Sequence, residues 1–257
     1  MTNKKRPTGY LLLETPNIVI VATIKTHNPK TGNMVQLWIL NRDVDPVTAT
    51  KTGADDVVCF DCPHRGTIEV LGDDGTTRNV GRTCYVRVVQ APLAVWRAYR
   101  AGKYPALAPD GYRAVFQGRK IRFGAYGEPV LIPLHIVSAL ATVSDGWTGY
   151  THQWRHAEYD AYRRYFMASC DNPHDYIEAK TRGWRTFRVR SADESMRHSE
   201  IICPASDEAD HKTTCENCKL CAGTTGADDP RKDIAIIVHG SGARNFQTAP
   251  TLIQISL

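Results

Sequence analysis

Two runs rich in Ile, Val and Leu open the pattern, Ile18–Thr23 and residues 34–40. They flank Asn28-Pro29-Lys30-Thr31-Gly32-Asn33, a turn by composition, and together predict a hairpin. Residues 1–15 read as a ragged entry, 45–56 as polar and irregular, and Val57-Val58-Cys59-Phe60 as a short strand. Helical spacing begins at residue 91, where Leu93, Trp96 and Tyr99 share one face, Pro92 suits the first turn and Gly102 ends the helix. After a proline-rich linker to about residue 118, strand-like runs at 122–126, 148–150, 166–168, 184–189 and 234–238 follow one another. Helical patterns at 133–141 and 156–165 lie between them, with a third starting at Pro173, capped by Asp171 or Asn172 and stopped by Gly183. Strands separated by helices argue for parallel βαβ units. The expected fold is α/β and (β/α) barrel-like, closed or incomplete, with an open doubly wound sheet as the alternative. Residues 1–56 are expected to form the hairpin and irregular entry, and 57–257 the barrel-like domain with a cysteine-rich metal-binding insertion at 203–229.

Composition narrows the class. With 42% apolar and 23% charged residues the chain is neither a disordered tail nor a membrane protein, and its longest apolar runs, 131–140 and 234–238, are too short to span a bilayer. Lys4, Lys5 and Arg6 precede an apolar stretch broken by Glu14 and Pro16, with no cleavage pattern after it, so a cytoplasmic location is expected. The net charge of +5 permits a polyanionic partner. Arg119, Lys120, Arg122, Arg155, Arg163, Arg164, Arg182, Arg185, Arg188 and Arg190 recur beside the strand segments. DNA or a nucleotide is therefore the expected partner.

Eight cysteines fall in groups that suit metal ligation better than disulfides. Cys203 precedes Pro204, and Cys215, Cys218 and Cys221 follow at two-residue gaps, so four thiolates can converge on one centre. Zinc with four sulfurs would be closed and structural, clamping the polar excursion 205–229. A [4Fe–4S] cluster is the alternative, because C-x2-C-x2-C with a remote cysteine before proline also suits iron–sulfur ligation. Cys59, Cys62 and Cys84 form a second candidate metal site, with His64 or Cys170 as a further ligand; buried packing of free thiols is the alternative reading.

Ligands in α/β folds meet the carboxyl ends of strands, which singles out the polar residues there. Glu128, after Gly124 and Gly127, reads equally as a base or nucleophile and as a helix N-terminal acid ahead of Pro129. Asp61 reads as a catalytic carboxylate or a hydrogen-bond acceptor. His152 and Trp154, with Tyr126, form a stacking and hydrogen-bonding set suited to a base. Arg122, Asp171 and Arg190 complete the candidate substrate-binding residues, although Asp171 also reads as an N-cap.

Taken as a set, Asn28-Pro29-Lys30-Thr31-Gly32, Cys59-Phe60-Asp61-Cys62-Pro63-His64-Arg65, Thr83-Cys84-Tyr85, the run from Arg122 through Gly124 and Glu128 to Pro129, and Cys203-Pro204 with Cys215, Cys218 and Cys221 resemble bacteriophage proteins labelled gene-product-88-like. The resemblance covers roughly residues 28 to 240. It implies a phage protein acting in the infected bacterial cytoplasm and carries no activity of its own. A looser analogy links the chain to guanine transglycosylases, barrels with a structural zinc, some of whose phage relatives insert 7-deazaguanines into DNA. That analogy implies carboxylate-assisted base exchange. Asp61 and Glu128 would fill the two carboxylate roles by position, although the zinc spacing and catalytic motifs of that family do not match here.

Overall fold

The structure is a computed structural model that describes residues 6–26, 28–71 and 75–246. In chain order its elements are β1 (Gly9–Glu14), β2 (Ile18–Thr23), β3 (Val35–Asn41), α1 (Pro46–Thr52), α2 (Asp56–Cys59), β4 (Thr67–Val70), β5 (Thr77–Val80), α3 (Ala91–Arg100), α4 (Tyr112–Phe116), β6 (Ile121–Tyr126), α5 (Leu134–Val143), β7 (Trp147–Thr148), β8 (Tyr150–Thr151), β9 (Met167–Cys170), α6 (Pro173–Thr181), β10 (Thr186–Arg190), β11 (Glu200–Ile202), α7 (Cys215–Cys218) and β12 (Asp233–Ile237).

Two five-stranded sheets carry the fold, in the orders β1-β2-β3-β6-β7 and β11-β12-β10-β9-β8; β4 and β5 form a separate hairpin. The second sheet is parallel throughout. The first is antiparallel from β1 to β3 and parallel from β3 to β7. This is a mixed α/β fold whose parallel strands have a barrel-like order. Among the described residues no ladder joins the outer strands β1 and β11.

The sheets meet in a single stretch of chain. β7 pairs with β6, β8 pairs with β9, and only Gly149 lies between them. Its amide donates to the Cys221 carbonyl (3.0 Å), and its carbonyl accepts from Met167 (3.0 Å). A Cβ here would stand 2.7 Å from the Phe166 ring and 3.3 Å from Phe123, so the crossing of the two sheets requires glycine.

β2 is buried at every position and β3 at all but the last, as expected of strands covered on both faces. Their core extends through β6 and α5 to Trp154 and Trp184. Strands from either side of residue 56, β3 and β6, therefore share one sheet and one core. A smaller buried cluster joins Met34, Met167, Ile234 and Ile236 to Cys203, Cys215 and Cys221.

Several elements depart from the sequence expectation. The entry holds a strand, β1, partnered along β2. The segment expected to be irregular contains α1, capped by Asp45, whose Oδ1 accepts from the amides of Val47 and Thr48, and ended by Gly53 at φ +85°. Residues 57–59 are helical rather than extended, because the Asp55 carbonyl accepts from the amides of Val58 and Cys59, and Phe60 ends the turn. The expected helix at 156–165 is 3₁₀, from Ala157 to Arg164. The cap ahead of α6 is Asn172, which accepts from the Asp175 amide (2.9 Å), and not Asp171. No helix among the described residues is long and apolar enough to cross a membrane.

Replacing Gly149 with alanine should force the Phe166 ring aside and lower stability by about 1–3 kcal/mol. Urea unfolding of Gly149→Ala checks this; an unchanged midpoint would show that the crossing tolerates a side chain.

Candidate metal centre

A cavity of about 310 Å³ opens between the sheets. Cys59, Cys62 and Cys84 line it together with Cys203, Cys215 and Cys221. Two cysteine groups that are far apart in sequence thus face one space.

The first group is set by a bent loop. Phe60 lies in the left-handed region at φ +48°, and the Cys62 amide donates to the Cys59 carbonyl (3.1 Å). Arg65 anchors the bend. It donates to the carbonyls of Phe60 (2.6 Å) and Gly53 (2.9 Å) and pairs with the buried Asp55 carboxylate (2.7 Å). Cys84 is brought alongside by its own amide and that of Thr83, both donating to the His64 carbonyl. Burial raises the pKa of Cys59 and Cys84, and the adjoining thiols add to the rise at Cys59. Left alone, these groups would stay protonated.

Glu128 reaches the same space through a bulge in β6. Gln36 pairs with Arg122 and Trp38 with Tyr126, so one residue of β3 faces three of β6, and Gly124 at φ +68° absorbs the excess. Gly127 follows at φ +83°, where a Cβ would sit 2.7 Å from the Ile39 carbonyl. The Glu128 amide then donates to the Val58 carbonyl (2.7 Å), tying the carboxylate to the helix that carries Cys59.

A line of protonable groups leads from that carboxylate. Glu128 accepts from the Thr151 hydroxyl (2.6 Å) and the His152 amide (3.2 Å), with His152 Nδ1 at 3.2 Å. His152 Nε2 lies 3.3 Å from Asp171, whose other oxygen meets His64 Nε2 at 2.8 Å; His64 Nδ1 meets the Thr83 hydroxyl at 2.6 Å. Burial alone would lower the His152 pKa, but Cys62 and Asp171 outweigh it and hold the imidazolium well above the ordinary histidine value. Burial would raise Asp171, yet His152 and His64 hold it far below the usual carboxylate range. Two donor sets close to within 4.8 Å among the described residues: Cys62, Glu128 and His152, and His64, His152 and Asp171. Either offers donors suited to a divalent metal.

The second group is docked from several sides. The amides of Cys203 and Cys215 donate to the carbonyls of Ala235 (2.8 Å) and Lys30 (2.9 Å), while the Cys221 carbonyl takes the Gly149 amide. The Glu216 carboxylate accepts from the Asn33 amide (2.8 Å). Arg185, buried, donates to the carbonyls of Leu220 (2.6 Å), Ala222 (2.7 Å) and Lys232 (2.5 Å). The segment 203–229 is therefore held to the barrel-like body at both ends. Burial raises the pKa of Cys203, Cys215 and Cys221, and Cys218 adds to the rise in each. These four sulfurs do not close to the 4.8 Å reached by the two sets above.

Arg122, Tyr126, Glu128 and His152, four of the candidate residues, line the cavity, and Asp171 braces His152 from behind. Three others are placed elsewhere. The Asp61 side chain is 73% exposed and accepts from Gln153 (2.6 Å), outside the cavity lining. Trp154 is fully buried in the core, its indole donating to the Ser169 carbonyl (2.8 Å), so it presents no face to a base. Arg190 is spent on Glu208 and on the Ser191 and Glu194 carbonyls. Arg188 is likewise enclosed by Glu200 and Glu194. Side-chain alternation cannot separate such interior ion pairs from a phosphate-facing row. Residues not singled out as site residues also line the cavity: Lys30, Thr83, Tyr85 and Tyr150. Thr83 and Tyr85 flank Cys84, and that adjacency is the sequence signal that could have found them.

No protein-family model matches the sequence, no curated protein matches it, and no solved structure matches it.

The Asp171–His152 pair sets a pH window for the metal-free protein. Asp171, depressed on folding, contributes stability above its unfolded value of about 3.9 and loses it as pH falls. His152, raised on folding, contributes below about 6.5 and loses it as pH rises through its elevated value. Urea midpoints of metal-free protein should therefore peak between these limits, and Asp171→Asn should flatten both limbs. Parallel profiles for the variant and the parent would show the pair to be uncoupled from folding.

Proposed function

We propose that the protein is an iron–sulfur enzyme of one-electron or radical chemistry, built on an incomplete (β/α) barrel with a cysteine-rich insertion at 203–229. The observation that carries this reading is the gathering of three cysteines from each group, Cys59, Cys62 and Cys84 with Cys203, Cys215 and Cys221, around a single cavity. A tetrahedral zinc with Zn–S near 2.3 Å would draw four sulfurs to about 3.8 Å of one another. Cys203 with Cys215, Cys218 and Cys221 would instead supply a multi-iron centre with one cysteine on each iron. Cys59, Cys62 and Cys84 would hold a second centre with three protein thiolates, leaving one iron open to the cavity. Bound there, such a centre supplies single electrons.

The chain's own residues do the rest. Glu128 and His152 stand beside the first cysteine group and can give or take a proton at a ligand held next to Glu128 Oε1. Asp171 and His64 continue that line and fix the His152 ring. Tyr126, Tyr150, Phe187, Val189 and Ile236 give the cavity an aromatic and aliphatic wall against which an apolar ligand body can pack.

Carboxylate-assisted base exchange on DNA is supported less well, because it needs two carboxylates on one bound sugar, and Asp61 faces solvent while Glu128 is enclosed. A single divalent ion on Cys62, Glu128 and His152 is the second reading, favoured by the closeness of those donors.

Anaerobic purification followed by iron, sulfide and zinc analysis tests the proposal. Iron and labile sulfide should be present. Cys59→Ser with Cys62→Ser and Cys84→Ser should remove one part of the iron, and Cys215→Ser with Cys218→Ser and Cys221→Ser the other. About one zinc per chain without iron would contradict the reading and leave a closed structural site. S-adenosylmethionine draws on iron–sulfur clusters for radical chemistry, so its cleavage by the reduced protein is the activity to assay first.

A further inference from the structure

Arg122 is buried to 7% exposure in the cavity wall, with one side-chain hydrogen bond, Nη2 to the Tyr85 hydroxyl at 2.6 Å. Its Nε has no partner. Among the described residues no carboxylate lies within ion-pair distance of Arg122 or of Lys30, which lines the same cavity. The one acid in the lining, Glu128, is taken by Thr151 and His152. A guanidinium enclosed in this way carries a large desolvation cost, which the neighbouring Tyr85, Tyr150, Cys215 and Cys221 offset, and a bound oxyanion would in addition pair the free Nε. The charge is also felt at His239, whose pKa is lowered by burial and by the nearness of Lys30 and Arg122. Beside the two cysteine groups, the histidines, Asn28, Thr83 and Ser169, the wall is aromatic and aliphatic, with Tyr150 and Phe187 rings 4.4 Å apart and Tyr85 stacked on His239 at 5.5 Å.

We infer that the cavity binds a small molecule with an apolar or aromatic body and an oxyanion head, a carboxylate or phosphate, with Arg122 and Lys30 as its recognition groups. The space of about 310 Å³ sits at the lower end of ligand pockets, so the occupant is a small molecule and not a nucleic-acid strand. Arg122 offers planar paired donors to such a head, and Lys30 a mobile point charge. The inference rests on the reading of the cavity as the reaction chamber, but oxyanion binding itself requires no iron.

Calorimetric titration of the purified protein with phenyl phosphate, benzoate and neutral benzyl alcohol tests it, alongside metal content for each variant. At least one anion should bind roughly tenfold or more tightly than the alcohol, and which one does so separates phosphate from carboxylate. Arg122→Gln should remove that preference while metal content and alcohol binding stay unchanged. Lys30→Gln should weaken anion binding by a smaller factor and covers the case in which Arg122→Gln does not fold. Equal binding of anions and alcohol, or loss of metal with the anion preference intact in Arg122→Gln, would overturn the inference and make Arg122 the counter-charge of the thiolates. Anion binding to a protein that holds zinc alone would sink the iron–sulfur reading and leave this one standing.

Discussion

Residues 147–151 are hydrogen-bonded into both sheets, and the positions of the functional side chains follow from that constraint. Trp147 and Thr148 complete the first sheet and Tyr150 and Thr151 begin the second, so the sheet turns through Gly149 and wraps a cavity. The same stretch delivers Tyr150 to the cavity wall, Thr151 to Glu128 and His152 to the first cysteine group. It also takes the second group in hand, through the Gly149 amide on the Cys221 carbonyl. One irregular strand thereby links the architecture to both candidate centres.

Charge inside this cavity is arranged for something to be bound. Burial raises the pKa of the lining thiols Cys59, Cys84, Cys203, Cys215 and Cys221, and a raised thiol gives up its proton only to a metal or a strong local cation. Arg122 sits among Tyr85, Tyr150, Cys215 and Cys221, which outweigh its desolvation and keep it charged. The first group stands by His152 and Glu128, where protons can move, whereas the second is clamped by Arg185 and backbone donors. The two groups therefore have unlike surroundings.

Much of the scaffold was legible in the sequence. β2, β3, β6, β10 and β12 are apolar runs or alternations bounded by turn residues, and burial alone specifies them. α1 was missed although Asp45, Pro46 and Gly53 supply cap, first turn and stop, because its exposed polar residues mask the periodicity. β4 and β5 are mostly exposed and give no apolar signal at all. Cysteine spacing singled out both cysteine groups, but their sharing of one cavity depends on strand order, which no local pattern encodes. Trp154 shows the reverse failure, since an aromatic beside histidine and arginine has the same composition in a core as in a binding site. Arg190 and Arg188 fail likewise, because their partners Glu208, Glu194 and Glu200 are close only after folding.

In the proposed reading the two cysteine groups hold iron centres at separate places on one cavity. Anomalous diffraction from anaerobically grown crystals, recorded across the iron and zinc absorption edges, tests it most directly. The account predicts iron peaks beside Cys59, Cys62 and Cys84 and beside Cys203, Cys215, Cys218 and Cys221. A lone zinc peak at the second group, with none at the first, would contradict it.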